Sequence, residues 1–141
     1  EAQAVSTGLM DILLPVKDGA ALGRAVQDER TVTALSRRYG VVGVHMFCLG
    51  DAPGVTARCR NFAPLYAIPE EAATGTSNGA LTDYLYRRGL VCPGGENRFL
   101  QGEAMGKPSE ILSRLTDTDG KVRVRVGGRA VLSLRCALLG E

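Results

Sequence analysis

Apolar and polar positions change period several times along the chain, and each change marks an element. Val5 to Val16 holds Leu9, Met10, Ile12, Leu13 and Leu14 in a mostly apolar run that stops at Pro15, so it reads as a buried strand. Asp18 suits the cap of a short helix through Val26, and Asp28 the cap of a second one to Tyr39, where Val32, Leu35 and Ser36 keep helical spacing until Gly40. Val41 to Leu49, rich in Val and Phe, ends at Gly50-Asp51, and Val55 to Phe62 alternates through Val55, Ala57, Cys59 and Asn61. These two segments predict paired strands. After Ile68-Pro69 comes the stretch richest in Gly and Thr, Glu70 to Gly79, which runs into a helix. There Ala80, Leu81, Tyr84 and Leu85 recur at helical intervals, and Arg87-Arg88-Gly89 supplies a basic last turn and a stop. Beyond the loop Cys92 to Asn97, the segments Arg98 to Gly102, Ser109 to Thr116, Lys121 to Gly127 and Ala130 to Leu139 are parted by turn signals such as Asp117-Thr118-Asp119-Gly120. Val122, Val124 and Val126 alternate with Arg123 and Arg125, the period of a strand with one wet face. The sum predicts one α+β domain over residues 1–141, with a mixed or antiparallel sheet wrapped around a central long helix.

Composition removes several classes of function. With 45% hydrophobic and 23% charged residues, the chain has the makeup of a folded globular protein rather than a disordered one. Its net charge is only +2 and its cations are dispersed, with Arg37-Arg38 and Arg87-Arg88 the adjacent pairs, so neither nucleic acid nor a membrane is an expected partner. The apolar stretch Gly40 to Gly50 is too short to span a bilayer, and Glu1-Ala2-Gln3 is no signal-peptide start, which predicts a soluble, cytoplasmic protein. Cys48, Cys59, Cys92 and Cys136 are widely spread and His45 is the sole histidine, so no metal site is expected and the thiols read as buried and reduced. His45 fits a structural role in an apolar strand, Arg60 and Lys107 structural or surface roles, and Tyr84 and Tyr86 packing on the sheet. Cys59 and Cys136 are expected in the core.

One stretch has chemical potential. Thr74-Gly75-Thr76-Ser77-Asn78 precedes a helix, where free backbone N–H groups and the helix dipole favour a carboxylate or phosphate. Gly75 permits close approach, and Thr76 or Ser77 can add a hydroxyl or cap the helix. The plainer alternative is that these residues are only caps, with Glu70-Glu71 complementing the dipole.

The order of motifs around this stretch resembles the phenazine-biosynthesis-like isomerases. Glu70-Glu71-Ala72-Ala73-Thr74-Gly75-Thr76 is similar to that family's acidic pair, proline and Thr-Gly-Ser. Val5-Ser6-Thr7-Gly8 resembles the entry to its second half, and Arg60-Asn61-Phe62-Ala63-Pro64 its Arg-x-Phe-x-Pro segment. Gln101-Gly102-Glu103-Ala104-Met105-Gly106-Lys107-Pro108-Ser109 and Val126-Gly127-Gly128-Arg129-Ala130-Val131 resemble two further family motifs in the right order.

The resemblance implies the C-terminal half of a two-half enzyme with the diaminopimelate-epimerase-like fold, its active site in the cleft where two helix starts face each other. It implies a cofactor-independent isomerase or epimerase that shifts a proton on a small carboxylic acid, its principal acid lying in the missing first half and buried enough to titrate near neutral pH. The partner would be the N-terminal half, as a separate chain or a missing segment, and the isolated chain would be inactive; a homodimer is a further possible partner. Glu71 corresponds to the family's Asp beside the substrate, and Gly75 and Thr76 to its anion-binding turn, so the expected site is Glu71 as catalytic residue, in proton relay or a substrate hydrogen bond, with Thr74, Gly75, Thr76 and Ser77 binding substrate. Glu at 71, Ala72 for proline and Lys107 for arginine depart from the family pattern. The alternative function is a non-catalytic anion-binding or interaction domain that keeps the fold.

Overall fold

Asp28 accepts hydrogen bonds from the Arg30 and Thr31 amides and Gly40 turns left-handed at φ 63°, so one short helix starts and stops where its sequence dictates. The computed structural model describes residues 1–137. It contains strands β1 (Gln3–Ser6), β2 (Met10–Pro15), β3 (Gly43–Leu49), β4 (Ala57–Ala63), β5 (Ile68–Glu71), β6 (Glu96–Gln101), β7 (Ser109–Thr118) and β8 (Lys121–Gly127). The helices are α1 (Gly19–Arg24), α2 (Glu29–Tyr39) and α3 (Gly75–Arg87).

The strands form one mixed sheet in the order β1-β2-β3-β4-β6-β7-β8, with β5 paired to β4 beside that path. Two neighbouring pairs are parallel, β2 with β3 and β4 with β6, and each is bridged by helix. The β4–β6 pair runs opposite to the β2–β3 pair, because β3 and β4 are antiparallel. Right-handed crossovers in oppositely directed pairs place their helices on opposite faces of the sheet. Accordingly α1 and α2 cover the outer face of β3 and β4, while α3 lies on the inner face against β1, β2, β7 and β8.

The core sits between α3 and this inner face. Leu13, Phe47, Cys59, Phe99 and Ile111 point inward from successive strands and pack on Leu81, Tyr84 and Leu85, with the Phe47 and Tyr84 rings edge to face at 5.6 Å. Burying each large side chain of this set contributes about 1.5–3 kcal/mol.

Several expectations are corrected. The helix inside the sheet is not long: α3 has 13 residues, about 20 Å at the helical rise. Extended backbone at Thr74 stops it at one end, and at the other Gly89, at φ 69°, returns the Gly89 and Leu90 amides to the Tyr86 and Leu85 carbonyls. Val5 to Val16 is not one buried strand but a hairpin, because Gly8 at φ 123° reverses the chain and sets β1 antiparallel to β2. Of Ala130 to Leu139, residues 130–137 form no strand and the remainder lies outside the described residues. Cys136 is therefore exposed rather than in the core, and Cys92, in the loop after α3, is exposed rather than buried. Tyr86 is half-buried, its hydroxyl donating to Asp117 at 2.6 Å.

Candidate functional site

The inner face of the sheet changes character toward the start of α3. Beyond the apolar core stand Asp11 of β2, His45 of β3, Asn61 of β4 and Gln101 of β6, each at most 3% exposed. They face Ser77 and Asn78 from the first turns of α3, and buried polar groups of this kind need partners. Ser77 donates its hydroxyl to Asp11. His45 Nδ1 lies 3.0 Å from Asn61 Oδ1, and the Cys59 thiol is 3.4 Å from Asn78 Oδ1. Burial holds His45 below the ordinary histidine range and pushes the Cys59 thiol well above the usual thiol range, so Cys59 is no nucleophile.

Glu71 ends β5, paired with Asn61, and is half-buried; its Oε2 accepts the Thr74 hydroxyl. Thr74 is the N-cap of α3 by backbone geometry, but its side chain is turned to Glu71 and makes no capping bond to the helix. Its amide donates instead to Gln101 Oε1 at 3.3 Å, and the Asn78 amide closes the first turn on the Thr74 carbonyl. The amides of Gly75, Thr76 and Ser77 find no acceptor among the described residues, as the first turn of a helix requires unless something outside it supplies one. Gly75 and Thr76 are exposed, and with Thr7, Gly79, Val124 and Val126 they line a cavity of about 340 Å³. Thr7 donates to the Thr76 carbonyl at 2.9 Å and pins the β1–β2 turn there.

The five expected residues thus fall at one place but divide in role. Gly75 and Thr76 line the opening and half-buried Glu71 is tied to the helix start through Thr74, whereas the Thr74 and Ser77 side chains are committed to Glu71 and Asp11. Arg60 is structural: its guanidinium spans both oxygens of Glu70 at 2.8 Å and also reaches the Leu22 and Ala25 carbonyls. Gln101 was expected only as part of a motif, yet it contacts both Glu71 and Thr74. Asp11 carries no such signal in the sequence, because a single polar residue in an apolar run resembles an exposed position, whereas Asn78 belongs to the marked helix-start stretch.

A larger cavity of about 430 Å³ lies between α1 and β4. Its cations are already neutralised, Arg58 by Asp51 and Glu103, and Arg60 by Glu70. The chemistry therefore concentrates at the start of α3. Among the described residues no cluster of His, Cys, Asp or Glu is arranged to hold a metal ion, and no helix is long and apolar enough to cross a membrane.

Comparison with known proteins agrees with this architecture. An uncharacterized isomerase of Deinococcus radiodurans is 36% identical over 133 residues, which is 92% of this chain and 42% of that protein. Trans-2,3-dihydro-3-hydroxyanthranilate isomerase of Pseudomonas chlororaphis is 39% identical over 75 residues, 52% of this chain and 27% of the enzyme. The crystal structure of a Bacillus anthracis phenazine biosynthesis protein of the PhzF family superposes with a TM-score of 0.77 at 22% identity, over 87% of this chain and 43% of that one. This chain thus spans less than half the length of these relatives. The model of the family described as phenazine biosynthesis-like protein matches residues 1–135, and the chain belongs to that family.

Proposed function

We propose that residues 1–141 form a single domain, the C-terminal half of a cofactor-independent isomerase or epimerase that moves a proton on a small carboxylic acid. The observation that carries this reading is the helix start itself: the Gly75 and Thr76 amides find no acceptor among the described residues at the positive end of α3, and the Glu71 carboxylate is bonded to that helix start through the Thr74 hydroxyl. The substrate carboxylate is held by those amides while Glu71 takes or returns a proton at the neighbouring carbon, a division of labour between anion hole and general base.

The reading also assigns the N-terminal half, as a separate chain or an adjoining segment, to the surface around this opening. Leu9 and Met10 of the first hairpin, Ile68 of β5 and Val126 of β8 are exposed apolar side chains that such a half would cover. Covering them would exclude water from the site and complete the cleft.

The test is deuterium uptake from D2O into small carboxylic acids, beginning with trans-2,3-dihydro-3-hydroxyanthranilate, the acid named for one relative. It compares this chain alone, the chain joined to its N-terminal half, and the joined protein carrying Glu71→Gln. The expected result is uptake by the joined protein only, reduced about 100-fold or more by the substitution. Uptake by this chain alone, or a joined protein indifferent to Glu71→Gln, contradicts the reading. Binding without uptake would favour the non-catalytic anion-binding domain.

A further inference from the structure

From the hydrogen bonds around Gln101 we infer that this residue is a positioning residue: it orients the Thr74 hydroxyl onto Glu71 Oε2 and leaves Glu71 Oε1 as the oxygen that exchanges a proton with substrate. The inference rests on the reading of Glu71 as the proton-transferring carboxylate.

A carboxamide offers two donor hydrogens and two acceptor lone pairs, and Gln101, fully buried, uses all four. Its Nε2 donates to the Glu71 carbonyl at 2.7 Å and to Thr74 Oγ1 at 2.9 Å. Its Oε1 accepts from the Thr74 amide at 3.3 Å and from Asn78 Nδ2 at 2.9 Å. The orientation of the amide is not a matter of choice. A main-chain carbonyl can only accept and a main-chain N–H can only donate, so Glu71 and Thr74 together place nitrogen on one side and oxygen on the other. Asn78 is held the same way, its Nδ2 also donating to the Thr74 carbonyl at 2.8 Å.

The consequence passes to Thr74. Its hydroxyl oxygen receives a hydrogen from Gln101 Nε2, and its single proton is directed to Glu71 Oε2. Glu71 Oε2 is therefore occupied as an acceptor, and Oε1 has no hydrogen-bond partner among the described residues. A donor-only contact from Gln101 thus polarises the hydroxyl in one direction, and chains of hydrogen bonds strengthen when every member points the same way.

Gln101→Glu keeps the shape but exchanges the donating nitrogen for an oxygen. In this chain, NMR at fixed pH follows the Thr74 hydroxyl proton and the Glu71 side-chain carboxyl carbon. The expected result is hydroxyl exchange about fivefold faster or more, the weight of one lost hydrogen bond, together with a displaced Glu71 carboxyl signal. Thr74→Val should displace the same carboxyl signal and Thr74→Ser should leave it in place, which keeps the test decisive if Gln101→Glu fails to fold. A folded Gln101→Glu with both signals unmoved, or a Thr74→Val that leaves the Glu71 carboxyl signal unchanged, overturns the inference. These signals report geometry and not turnover. A protein in which they respond as expected while Glu71→Gln leaves deuterium uptake intact would refute the isomerase reading and not the role of Gln101.

Discussion

Ser77 in the first turn of α3 donates its hydroxyl to Asp11 on β2, 66 residues earlier, and both side chains are almost fully buried. The other Asp11 oxygen, Oδ1, has no partner among the described residues. This bond is one of several polar contacts that anchor the start of α3 to the sheet, beside those of Asn78 to Gln101 and Cys59, and losing it leaves a buried carboxyl group unsupported.

Ser77→Ala is accordingly expected to cost about 1–3 kcal/mol, measured as a lower urea midpoint. Adding Asp11→Ala to that variant should cost less than the two single losses predict, since the unsupported group is gone. Additive losses would show that the two side chains do not depend on each other.

His45, the sole histidine, sets a pH dependence. Burial lowers its pKa from the ordinary 6.5, while the Asn61 contact, the charge of Asp11 and Asn78 pull the other way. The unfolded chain therefore binds this proton at a higher pH than the folded one does. The His45 contribution to stability is complete above pH 6.5 and is lost as pH falls below it toward the depressed folded value. The urea midpoint should fall between about pH 7.5 and about pH 5.5, the range around the reference histidine pKa, and His45→Gln should flatten that slope. An equal slope in the variant would assign it to other groups.

Arg60 ties β5 to β4 and to the end of α1, with its side chain 11% exposed and that of Glu70 16%. Arg60→Met leaves Glu70 and two carbonyls without their donor and should cost about 3 kcal/mol in chemical unfolding. Arg60→Lys keeps the charge but not the fork, and should lose less. Because Glu71 follows Glu70, the Met variant should also shift the Thr74 and Gly75 amide signals.

Gly102 occupies a left-handed position at φ 80°, and a Cβ there would meet the Lys107 carbonyl oxygen at 2.3 Å and the Ala72 carbonyl oxygen at 2.8 Å. Gly102→Ala should cost about 1–3 kcal/mol for the backbone conformation alone, with the collision in addition. Since Ala72 lies between Glu71 and Thr74, its amide and its neighbours' should move in the NMR spectrum. A variant as stable as the parent would contradict this geometry.

Much of the fold was legible wherever the local signal and the tertiary outcome agree. Asp18 and Asp28 cap helices, Gly40 ends one, and the Val and Arg alternation of β8 gives its wet face. Elements fixed by long-range pairing were not legible. Ile68–Glu71 is too short and too rich in Pro and Glu to read as a strand, and becomes one by pairing with β4. Glu71, Gly75 and Thr76 were marked in advance by family resemblance and by the helix-start pattern. Asp11 and the four bonds of Gln101 were not, because only the curl of the sheet around α3 brings them together.

The most direct test of the account is a titration of this chain with benzoate, a simple carboxylate, followed through the backbone amide signals. The account predicts saturable shifts centred on Gly75 and Thr76, with the Glu71 carboxyl signal moving alongside them. If those signals stay still while shifts appear only at the arginines of β8, the start of α3 is not a carboxylate site and the proposed function falls.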